Sequence, residues 1–214
     1  MDAATLETMV RARLRDRMLL DHPFYRRWSE GGVGAGELRD YAAQYRHFEA
    51  MLPSHLQRVA AAAHDTTLRD TALRNLADEA THLELFDGFA GALDAPRDAA
   101  PSPAMAQLLT AYRTAAEDGA AQGFAALLAY ELQAPAVAQS KAEGLRDHGI
   151  LDGEALDFWT VHARVDGDHA QWALQALAQG GDDAAVVEAA GSAADAWWAF
   201  LDEREALRPA AALG

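Results

Sequence analysis

From residue 3 to residue 206 the apolar side chains recur at intervals of three and four, and no stretch alternates with a period of two. That spacing builds one face of a helix, whereas a half-buried strand would alternate. Leu6, Met9, Val10, Leu14 and Met18 predict a helix over about 3–19, which His22-Pro23 breaks, because proline disfavours helix at the residue before it. A short segment through Tyr25 and Trp28 ends at Gly31-Gly32 and Gly34. Leu38, Tyr41, Ala42, Tyr45, Phe48 and Met51 mark a helix up to Pro53, and helical spacing resumes over 54–63. Asp65 suits the N-cap of a helix over 66–93. The stretch DAPRDAAPSP, 94–103, is a connector rich in proline and short polar residues. Further helices are expected over 104–117, 120–146, 154–179 and 183–206, separated by Gly119, Gly149 and Gly180-Gly181. The 51 alanines among 214 residues agree with this, alanine being the best helix former. The expected fold is all-α, one domain over 1–214, with about seven or eight helices.

Charge and composition remove several function classes. The 18 Lys+Arg face 33 Asp+Glu, a net charge of −15, which argues against a nucleic-acid partner. With no cysteine there is no disulfide, no thiolate nucleophile and no Cys-based zinc or iron–sulfur site. The first twenty residues carry charges throughout, unlike a signal peptide, and no stretch approaches a membrane span, so a cytoplasmic protein is expected. Of the 18 basic residues 17 are arginine, and the single lysine is Lys141.

Three patterns place ionisable groups where a predicted helix should be buried. Glu79-x-x-His82 puts both side chains within about 60° of each other. His162-x-x-x-Asp166-x-x-His169 forms a polar stripe, at about 0°, 40° and −20° around its helix. Glu131 lies in FAALLAYELQAPAVA, a run so apolar that a lone carboxylate there needs a partner. Carboxylates with imidazoles and no thiolates suit iron or manganese, with zinc possible. Six such groups on facing helices are what a two-metal bundle site requires. Each pattern alone has a plainer reading: a surface helix pair, a solvated stripe, a structural salt bridge. His22 is expected to cap or position the next segment, and His47, His55, His64 and His148 have no ligand partners at useful spacing. Asp78, Glu84 and Asp168 are expected to face solvent, and Trp197, Trp198 and Phe200 to be packing.

The phrases HPFYRRWSEGG, LRDYAAQYRHFEAMLP, LLAYELQAPAVAQSKAEGL and FWTVHARVDGDH resemble the TenA/PqqC superfamily, which has the haem-oxygenase-like helical fold. Within it the chain is most similar to the haem-oxygenase-like dimetal oxidases of the CADD type, which form para-aminobenzoate for folate. The resemblance implies that Glu79, His82, Glu131, His162, Asp166 and His169 are the metal ligands. It implies two metal ions, iron/iron or iron/manganese, with O2 as co-substrate and an external reductant. It further implies that Tyr25 is the sacrificed side chain and Lys141 the amine donor, with Tyr41 and Tyr130 as radical relays. One departure is that the group's first Glu and His usually lie about one helical turn farther apart. Two alternatives stand beside this reading: a multiple-turnover oxidase of an external amino acid or fatty acid, and a non-catalytic helical binding protein. The expected partners are a small molecule or the chain's own side chain, without membrane or nucleic acid, and a homodimer is allowed.

Overall fold

The structure, a computed structural model, describes residues 1–79, 81–180 and 182–208, so Ala80, Gly181 and the last six residues lie outside it. Among the described residues there are helices and turns and no strand, as the periodicity required. Within the described residues the α-helical segments run in order: α1 Ala3–Leu14, α2 Pro23–Ser29, α3 Ala35–Ala62, α4 Thr66–Glu79, α5 His82–Ala92, α6 Pro103–Asp118, α7 Ala120–Glu131, α8 Ala134–Asp147, α9 Asp157–Leu177 and α10 Asp183–Ala206. No helix among them is long and apolar enough to cross a membrane.

Two of the predicted helices each run as two consecutive segments. The segment 66–93 is interrupted at Thr81, a turn residue, and 120–146 at Leu132-Gln133, where Pro135 starts α8 from its first turn. The first helix also stops early, at Leu14, and continues as two 3-10 turns. In the other direction, Pro53 does not end its helix. Buried Tyr45, Phe48 and Leu52 before it, and Leu56 and Val59 after it, continue one apolar stripe. Packing on both sides outweighs the single backbone hydrogen bond the proline forgoes.

Local signals act where expected. Asp65 Oδ1 accepts from Leu68 N at 2.9 Å, and Ser102, at the end of the connector, caps α6 by accepting from Met105 N. His22 Nδ1 accepts from Phe24 N and so starts α2. α7 is the central helix: every residue from Gly123 to Glu131 is buried, with α3, α6, α9 and α10 against it. α4 and α5 lie on α9, and α8 spans α9 and α2. The ends of α4 and α7, the start of α5 and the middle of α9 therefore meet inside one bundle.

Candidate metal centre and the tyrosine–lysine cluster

The six predicted ligands come from four helices and converge. Glu79 ends α4, His82 begins α5, Glu131 ends α7, and His162, Asp166 and His169 follow one another along α9. All six are buried. Glu79, His82 and His162 can offer one ligand atom each within 4.8 Å of one another, and so can Glu79, Asp166 and His169. Glu79 belongs to both triads. Glu131 stands beside the second, its Oε1 3.7 Å from His169 Nδ1. Glu79 and His82, three residues apart, meet through His82 Nδ1 and Glu79 Oε2 at 2.8 Å.

The hydrogen bonds orient the imidazoles for coordination. His162 Nδ1 bonds the Phe158 carbonyl at 2.8 Å, which can only accept, so Nε2 keeps its lone pair. Burial, with His82 close by, holds His162 neutral, its pKa pushed down to about 4. Glu131 and Asp166 are both held well above the usual carboxylate range, first by burial and then by neighbouring carboxylates. Glu131 Oε2 and His169 Nδ1 are buried without a hydrogen-bond partner. Crowded carboxylates, lone pairs facing them and orphaned oxygens are what a pair of divalent cations would satisfy. The residues fit the metals.

Three side chains around this centre were not singled out by sequence. Asp78, expected in solvent, is half-exposed yet bonds His169 Nε2 through Oδ2 at 3.1 Å. Asn75, one turn before Glu79, donates to Glu131 Oε1 at 3.3 Å. Glu49 is buried on α3, its Oε2 unpartnered, and burial with Glu79 and Asp166 nearby raises its pKa well above the ordinary value. Helical spacing could have found Glu49, since Tyr41, Tyr45 and Glu49 step by four along one face. Glu84 and Asp168 are exposed as expected.

On the other side of Glu49 lies the predicted tyrosine–lysine group. Lys141 Nζ donates to Tyr41 Oη at 2.6 Å, and Tyr41 Oη shares a hydrogen bond of 2.7 Å with Tyr25 Oη. Lys141 is 2% exposed, with Tyr25, Trp28, Tyr41, Tyr45 and Trp159 rings 4.1–5.6 Å from its nitrogen. Burial pushes its pKa well down, opposed only in part by Glu49. Tyr130 joins through a 2.5 Å hydrogen bond between its hydroxyl and that of Tyr45, whose ring stacks on Tyr41 at 5.4 Å. Tyr25, Tyr41, Tyr45 and Tyr130 all have pKa values raised by burial, so each is a neutral phenol. Lys141 does not stand on a straight helix beyond Glu131: the break after α7 and the new course of α8 bring it to the phenols.

A helical fold with this carboxylate–imidazole set defines a class, and the comparisons agree on it. A model of haem-oxygenase-like proteins, described as iron-containing redox enzymes, matches residues 39–203, and the chain belongs to that family. Its relatives include the 4-aminobenzoate synthase of Nitrosomonas europaea, 33% identical over 92% of this chain and 90% of that one. The 4-aminobenzoate synthase of Chlamydia muridarum is 32% identical over 88% and 85%. Among solved structures, a TenA homologue from Pseudomonas syringae superposes with a TM-score of 0.80 at 15% identity, covering 97% of this chain and 96% of the other. A CADD-like protein of unknown function from Nostoc punctiforme gives 0.76 at 16%, covering 94% and 96%. The protein is thus an oxidase-type enzyme of CADD-type kinship, and the non-catalytic alternative falls.

Proposed function

We propose that this protein forms 4-aminobenzoate in an O2-dependent reaction, with Tyr25 supplying the ring and Lys141 the amino nitrogen. The observation that carries the reading is the hydrogen-bonded series Tyr25–Tyr41–Lys141, closed inside aromatic rings. The kinship with two curated 4-aminobenzoate synthases supports the product. Glu79, His82, Glu131, His162, Asp166 and His169 would hold two metal ions, iron/iron or iron/manganese. Bound there, the metals would supply O2 activation with electrons from an external reductant.

The chain's own groups prepare the rest. Burial keeps Lys141 unprotonated, so its nitrogen retains a lone pair, which the ever-charged guanidinium of arginine could not offer. Tyr41 accepts the Lys141 hydrogen bond at Oη, and its hydroxyl touches that of Tyr25, so a proton leaving Tyr25 has an immediate acceptor. Tyr41 stacks on Tyr45, which bonds Tyr130, and the three would relay oxidising equivalents between the metals and Tyr25. The surrounding rings exclude water and fix the reacting groups. Each chain would react once with its own side chain as substrate, and a homodimer is compatible with this.

The test is to load the protein with iron, or iron and manganese, add reductant and O2, and measure intact mass and released small molecules. A stoichiometric mass loss at Tyr25 with 4-aminobenzoate released, abolished by Lys141→Arg, is expected. An unchanged chain without 4-aminobenzoate overturns the reading. An unchanged chain that oxidises an added amino acid or fatty acid instead makes it a multiple-turnover enzyme.

A further inference from the structure

One opening on the surface leads to the candidate ligands themselves. Asp78, His82, Val165, Asp168, His169 and Trp172 line it, with a volume of about 340 Å³. Asp78 stands at its mouth with its side chain 48% exposed, while His169 behind it is 1% exposed. A carboxylate can only accept, so the 3.1 Å contact of Asp78 Oδ2 with His169 Nε2 places the ring proton on Nε2. His169 Nδ1 is then a bare lone pair. It faces carboxyl oxygens of Glu131 at 3.7 Å, Glu79 at 3.9 Å and Asp166 at 4.0 Å, and has no hydrogen-bond partner.

That arrangement is the costly choice for a metal-free imidazole. The other tautomer would put the proton on Nδ1, where three carboxylates could receive it. Asp78 is the group that opposes it, and the ring is further steadied by Trp172 at 5.6 Å, itself covered by the Arg74 guanidinium at 3.5 Å. We propose that Asp78 is a positioning residue for metal binding: it holds His169 in the tautomer that offers Nδ1 to a cation, and its exposed charge draws that cation into the opening. The inference rests on the two-metal reading above. A ligating histidine whose second nitrogen is held by a carboxylate is a recurrent device for fixing ring orientation and raising ligand basicity.

Cobalt(II) is a suitable probe, added to the full-length metal-free protein and followed by its absorption, with the 15N shifts of His169 read before addition. Asp78→Ala is expected to weaken cobalt binding about 10–100-fold and to move the His169 proton to Nδ1. Asp78→Asn keeps an acceptor and loses the charge, so slower uptake with a smaller loss of affinity is expected. Asp78→Glu should restore part of both. If Asp78→Ala does not keep its helical circular dichroism, the Asn variant decides. Uptake at wild-type rate and affinity in these variants, with the proton still on Nε2, overturns the inference alone. A wild-type chain that takes up no cobalt overturns the metal reading and this inference with it.

Discussion

At Glu131 the chain buries a carboxylate at the end of its most apolar helix, and Glu49, Glu79 and Asp166 share the same interior. Each desolvated charge costs several kcal/mol unless it is partnered. Glu49, Glu131 and Asp166 respond by binding protons more tightly than in an unfolded chain. Through these three groups the folded state holds more protons than the unfolded one above about pH 4, so their share of the stability falls as pH rises from there through the raised values, while His162 and Lys141, lowered by burial, act in the opposite sense. Melts of the metal-free wild type and Glu131→Gln across pH isolate the Glu131 share: the wild type's melting temperature should fall relative to the variant's as pH rises above about 4, and a constant difference would contradict it. Glu131→Gln removes one of the repelling charges. We expect it to melt at a higher temperature than wild type when metal-free, yet to bind metal more weakly; a residue kept for stability would behave the opposite way. Glu131 was legible in sequence because an isolated charge in an apolar run demands an explanation. Asp78 was not: its neighbours on the chain describe a surface residue, and only α9 brings His169 to it.

Two helix junctions, between α4 and α5 and between α7 and α8, shape the interior, and the second returns Lys141 toward α2 and α3. Sequence read each pair of helices as one, since the apolar spacing continues across both junctions and neither contains a glycine. At Pro53 the error ran the other way, because a local breaker was overruled by burial on both sides. The contact of α8 with α2 depends on Gly144. A Cβ there would stand 2.9 Å from the Trp28 backbone oxygen, and the Trp28 indole donates to the Lys141 carbonyl one turn away. Gly144→Val should cost about 1–3 kcal/mol in urea unfolding. It should also lower 4-aminobenzoate yield while the protein still takes up metal, because α8 carries none of the six ligands. Equal losses of both would mean that the two halves of the site are not separable.

Over the whole molecule, six candidate ligands on α4, α5, α7 and α9 would make metal binding a cross-link of the bundle. A ligand that binds only the folded state stabilises it by about 2.7 kcal/mol at a hundred times its dissociation constant. The melting temperature should therefore rise with added metal and fall again with a chelator, and His169→Ala should shrink that rise. No rise in the wild type would contradict the site. The all-helical class, the lack of cysteine and the six candidate ligands were present in the sequence by itself, because helical period, missing residue types and buried charge are local properties of a chain. Lys141 was visible there as the one lysine beside 17 arginines and through the family resemblance, without its surroundings. Its contact with Tyr41, the meeting of Glu79 with both triads, and the hold of Asp78 on His169 were decided by tertiary structure alone. Each joins residues from different helices, and the direction in which one helix hands over to the next is set by packing rather than by the period of its apolar face.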